Sequence, residues 1–119
     1  MVNGESSFRE KYLFSEAEHK KLQSILADLQ EITTSSRSLP DKTKLKLLEK
    51  LKELISNEEK EYNNLDDFWS IIGRTEIAFR VYDENQIPDK LKEMVKLIWK
   101  VQCRNEGRSP DSPPPIIIE

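Results

Sequence analysis

Cysteine, histidine and glycine are scarce in this chain, and each scarcity closes a class of function. Cys103 is the single cysteine, so no internal disulfide framework can staple a loop-rich fold. His19 is the single histidine. A Ser-His-Asp triad or a zinc site needs convergent partners, and one His and one Cys far apart in sequence supply none. There are three glycines in 119 residues, and no Gly-rich phosphate loop, C-x-x-C, H-E-x-x-H or G-x-S-x-G run. No apolar run approaches the ~20 residues of a membrane span. The start, Met1-Val2-Asn3-Gly4-Glu5, lacks the basic region and apolar core of a secretory signal. The expectation is a soluble, cytoplasmic chain without membrane association, cofactor or metal, and not an enzyme. A net charge of −3 is also unlike a dedicated nucleic-acid domain, which is usually strongly basic.

What is present is helix-forming. Leu, Lys and Glu are abundant, and the prolines fall mostly in the C-terminal tail or at segment starts. The length suits one domain with a modest core. Residues 1–14 read as an N-terminal arm, with Phe8, Tyr12, Leu13 and Phe14 forming an extended piece packed on the bundle or a lone edge strand. Ser15 and Glu18 have the S-x-x-E spacing of a capping box. Leu22, Ile25, Leu26, Leu29 and Ile32 continue as an apolar helical stripe to about Thr33. After a Ser/Thr-rich loop, Ser38 is expected to cap a second helix with Pro40 and Asp41 in its first turn. Leu47, Leu48, Leu51, Leu54 and Ile55 form its inner face, and Tyr62, still in phase, extends it towards Asn63-Asn64.

The densest pattern lies between Leu65 and Arg104. Asn64 and Asp67 read as an N-cap and a first-turn carboxylate ahead of the stripe Leu65, Phe68, Trp69, Ile72. Gly73 interrupts. Beyond it, residues 75–82 fit a continuing helix, which is favoured. They also fit a strand, because Ile77, Phe79 and Val81 alternate. In the helical reading Glu76 enters the stripe with Arg80 four residues on, a possible buried polar pair. Asp83-Glu84-Asn85-Gln86 follows as a polar turn. Pro88 then opens the clearest amphipathic helix, with Leu91, Met94, Val95, Ile98 and Trp99 on one arc and Leu97 and Val101 widening it. Lys92, Lys96, Lys100 and Arg104 line the opposite face, and Gln102 falls inside the apolar arc. Asn105-Glu106-Gly107 is a helix stop.

The fold expected is mainly α, a small bundle of about four helices in two hairpins spanning 15–104, with an extended N-terminal arm and a flexible Pro-rich tail at 105–119. The arc of the last helix is wider than so small a bundle needs, and a homodimer is the simplest cover for it. Adjacent Asp66-Asp67 point about 100° apart on a helix, so they suit the helix dipole and not a shared catalytic site. The stripe Lys92, Lys96, Lys100, Arg104 beside Trp99 is a solvated face or a phosphate contact. Pro113-Pro114-Pro115 is expected to be polyproline II, and the tail ending in Ile116, Ile117 and Ile118 is either disordered or a docking strip, seated on its own bundle or on a partner. The leading functional expectation is a non-enzymatic protein-interaction or regulatory module acting by helix face or tail. The alternatives are a nucleic-acid-associated regulator using the basic face of the last helix and, behind it, an antitoxin- or immunity-type inhibitor, which rests on size and acidity alone.

Overall fold

The computed structural model describes residues 11–82 and 87–118. Phe8, in the arm, and the turn expected at 83–86 lie outside them. Four helices carry the fold: α1 (Glu16–Ser35), α2 (Asp41–Ser56), α3 (Asp66–Tyr82) and α4 (Asp89–Glu106). Two short strands, β1 (Tyr12–Leu13) and β2 (Glu61–Tyr62), pair antiparallel with Tyr12 opposite Tyr62. Each helix packs on two others: α1 on α2 and α4, and α3 on α2 and α4. The result is a four-helix bundle of two hairpins.

The stripes explain the packing. Leu22, Leu26, Leu29, Leu51, Ile71, Ile72, Leu91, Met94, Ile98 and Val101 are fully enclosed, and each such side chain contributes about 1.5–3 kcal/mol through burial. The capping box of α1 is formed, with Glu18 N donating to Ser15 Oγ at 3.1 Å and Ser15 N donating to Glu18 Oε1 at 2.9 Å. At the other end of α1, Lys44 Nζ reaches back from α2 to donate to Ser36 O at 2.6 Å and Thr34 O at 3.3 Å, satisfying carbonyls the helix leaves open. Helix α3 runs unbroken through Gly73. The strand alternative at 75–82 is therefore excluded, and Ile77 and Val81 lie on the outer side of a helix.

Two local expectations are corrected. Ser38 does not cap α2. Pro40 occupies the cap position without a side-chain bond, and the loop is organised instead by Ser36 Oγ, which accepts from the backbone N–H of Ser38 and Leu39, both at 3.3 Å. Nor does α2 extend to Tyr62. It stops at Ser56, and Tyr62 turns inward on β2 to meet Phe14 and Phe68 at ring-centroid distances of 5.5 and 5.1 Å. That aromatic cluster pulls the residue into phase with the core while its backbone pairs with the arm. Of the two readings offered for the arm, the packed piece holds, with Phe14 in the core; the strand at Tyr12–Leu13 is not a lone one, because it pairs with β2.

Candidate functional site

The broad arc of α4 is fully covered from within the chain. Gly107 takes a left-handed conformation at φ 68° and closes the helix, with Arg108 N donating to Cys103 O at 2.8 Å. This reverses the chain, and the tail runs back over α4 and onto α3. Trp99 Nε1 donates to Ser112 O at 2.8 Å, and the Arg108 guanidinium lies 5.8 Å from the Trp99 ring centre. Ile116 and Ile118 pack against the core, with Ile116 seated near Gly73, whereas Ile117 points outward. Of the two docking options for the isoleucine tip, it takes its own bundle. The breadth of the arc therefore no longer calls for a second copy. Trp69 and Trp99 meet edge to face at 6.3 Å. Gln102 resolves its place in the arc by accepting from Trp69 Nε1 at 2.7 Å and donating to Glu106 Oε2 at 3.2 Å. Cys103 is buried beneath the tail, and that burial pushes its thiol pKa up, away from reactivity.

The basic stripe divides. Arg104 grips Glu18 of α1 with both nitrogens, at 2.5 and 2.8 Å, and also donates to Leu13 O at 2.6 Å. Lys100 adds a longer contact to the same carboxylate at 3.7 Å. Arg104 in particular holds the Glu18 carboxyl down to about 2. Two of the four cations are thus structural clasps between α4, α1 and the arm, and Trp99, at 7% exposure, is no companion on an open basic face. Lys92 and Lys96 remain, without an ion-pair partner among the described residues. Glu76 and Arg80 do pair, at 2.9 Å, but Arg80 stands half-exposed, so the pair belongs to the surface and not to the core. His19 is a partly buried residue on α1, and Asp67 meets Lys50 at 3.3 Å. Among the described residues no group of three or more His, Cys, Asp or Glu is placed to hold a metal. No helix among them is long and apolar enough to cross a membrane.

A different face stands open. Between α2 and α3 lies a shallow groove of about 340 Å³. Helix α3 supplies Arg74, Ile77, Ala78, Val81 and Tyr82, and α2 supplies Thr43, Lys46 and Leu47. Ile77 is 63% exposed, Val81 64% and Tyr82 45%. The spacing 74, 77, 78, 81, 82 is a second helical stripe, turned about 90° from the core stripe of the same helix. It was legible in the sequence, but the alternation of Ile77, Phe79 and Val81 and the strong core positions Phe68, Ile72 and Phe79 drew the reading elsewhere. Both charged residues of the groove, Lys46 and Arg74, are cations, and neither has an ion-pair partner among the described residues.

Comparison with protein-family models, with curated proteins and with solved structures finds no match to this chain.

Proposed function

We propose that the protein is a non-enzymatic interaction module, working in the cytosol, that docks a partner protein on the α2–α3 face. One observation carries this reading: three large apolar side chains, Ile77, Val81 and Tyr82, stand exposed together on two turns of one helix, while the equally apolar face of α4 is closed by the chain's own tail. A contiguous exposed apolar strip beside a groove is the usual mark of an interaction surface. Burying these three side chains offers roughly 5–8 kcal/mol, against an association cost of at least about 4 kcal/mol. Apolar contact alone therefore supports a weak complex, and a tight one needs help from the rim.

The test is purification of the tagged chain from its host, with and without nuclease, beside an Ile77→Ser/Val81→Ser variant. A stoichiometric protein that survives nuclease and is lost from the variant is the expected result. A partner retained equally by the variant moves the contact to another surface. Nucleic acid alone in the eluate favours the reading in which Lys92 and Lys96 hold phosphate, and self-association lost in the variant makes the partner a second copy.

A further inference from the structure

The groove on the α2–α3 face also carries information about what fits it. We infer that its occupant is an acidic amphipathic helix of a partner protein, laying an apolar stripe on Ile77, Ala78 and Val81 and its carboxylates over Lys46 and Arg74. This rests on the interaction reading above and names the partner's chemistry.

The backbone on either side of the groove settles the form of the occupant. Both walls are α-helices, whose N–H and C=O groups are already paired along the helix. An extended peptide would find no main-chain partners here, unlike one that adds to a sheet edge, and would bury its own polar backbone unpaired. A helix satisfies its backbone internally and needs only a side-chain stripe. The groove offers a matching one at 74, 77, 78, 81 and 82, the i, i+3, i+4, i+7 spacing by which helices dock in grooves.

Charge sets the sign and the direction. The chain is acidic overall, at −3, yet the two charged residues of this groove are both basic and unpaired among the described residues. They sit at one end of it. Lys50 of α2 contacts Asp67 of α3 at 3.3 Å, so in this antiparallel hairpin Lys46, one turn back along α2, comes level with the segment of α3 that leads into Arg74. The opposite end finishes at Tyr82. A partner helix therefore places its acids at the Lys46–Arg74 end. A nucleic acid would gain two phosphate contacts and nothing from the apolar floor.

Two synthetic 18-residue helical peptides decide the matter. They share one Leu/Ile stripe and differ in flanks, one with Glu and the other with Lys at the same positions. Each is titrated into the full chain, with the Ile and Val methyl signals followed by NMR. The expected result is that the Glu peptide binds at least ten-fold more tightly at 50 mM salt, that the methyls of Ile77 and Val81 move most, and that the preference shrinks at 500 mM salt. The variant Lys46→Glu/Arg74→Glu, checked for retained helicity, should reverse the preference. Equal affinities, or a preference for Lys, overturn the acidic partner while leaving the docking face in place. Binding of either peptide that leaves Ile77 and Val81 unmoved, or no binding at all, overturns the docking face itself. Concentration-dependent movement of those methyls without peptide makes the occupant a second copy, and a DNA or RNA oligonucleotide that shifts them makes it nucleic acid; either overturns the inference.

Discussion

The two outer faces of α3 make an instructive pair. Towards α4, the helix carries Trp69 and Gly73, and the tail closes over them: Trp99 is hydrogen-bonded to Ser112, and Ile116 sits by Gly73. Towards α2, the same helix carries Ile77, Val81 and Tyr82, and no described residue closes over them. Apolar content does not separate the two faces, since both have it. What separates them is whether a later piece of chain returns, and that is fixed at the reversal by Gly107. Breadth of an apolar arc on a helical wheel is therefore a poor guide to where a surface is free. The arc on α4 is the wider one, and it is the one that is covered.

The contrast can be broken most forcefully on the covered side. Ending the chain at Gly107 removes the packing of Ile116 and Ile118 and the acceptor of the Trp99 indole. The expected loss is about 3 kcal/mol, seen as a fall of roughly 10 °C in the melting midpoint. It should be accompanied by faster modification of Cys103 by a thiol reagent. An unchanged midpoint and an unreactive Cys103 would mean that the tail does not seal that face.

Next in size is the clasp between Glu18 and Arg104. Its folded-state pKa, about 2, lies below the ordinary value of 4.5. The pair therefore contributes fully above pH 4.5, and its contribution is lost as pH falls from there towards 2. Arg104 is half-exposed, so solvent screening brings the expected contribution to about 2 kcal/mol, below what the whole shift would give. Denaturant titrations between pH 5 and 2.5 should show this loss, and Glu18→Gln should flatten that part of the curve. Parallel curves for the two proteins would remove the clasp from the account.

The smallest effect belongs to the open face. Ile77→Ser and Val81→Ser remove side chains that water already reaches, so each should change stability by no more than about 0.5 kcal/mol. A loss of 2 kcal/mol in either would show that the face is part of the core after all.

Where the sequence was legible, the signal was local. The capping box Ser15–Glu18, the stripe from Leu22 to Leu29 and the stop at Gly107 each need only a few consecutive residues, and each is realised. What was hidden depended on residues far apart in the chain. Glu18 was read as a cap and serves also as the anchor for Arg104, 86 positions away. Gln102 seemed out of place until Trp69 supplied the donor. Tyr62 kept helical phase but was claimed by Phe14 and Phe68 in a strand. The groove was hidden for another reason: α3 carries two stripes, and the stronger one masks the weaker.

The seam between the arm and the end of α4 has a kinetic meaning. Leu13 O accepts from Arg104 at 2.6 Å and from Asn105 at 3.3 Å, and Leu13 N donates to Asn105 Oδ1 at 3.2 Å, across separations of 91 and 92 residues. The helical hairpins form from neighbours in sequence, whereas this seam requires nearly the whole chain to be in place, so it is expected to close late on the way to the native state. Interactions made after the rate-limiting barrier leave folding speed untouched and act on escape from the native state. Weakening the seam, by Glu18→Gln or at Asn105, should steepen the rate of unfolding while refolding stays constant. On that expectation, a few hydrogen bonds at the two ends of the domain would set how long a folded molecule lasts.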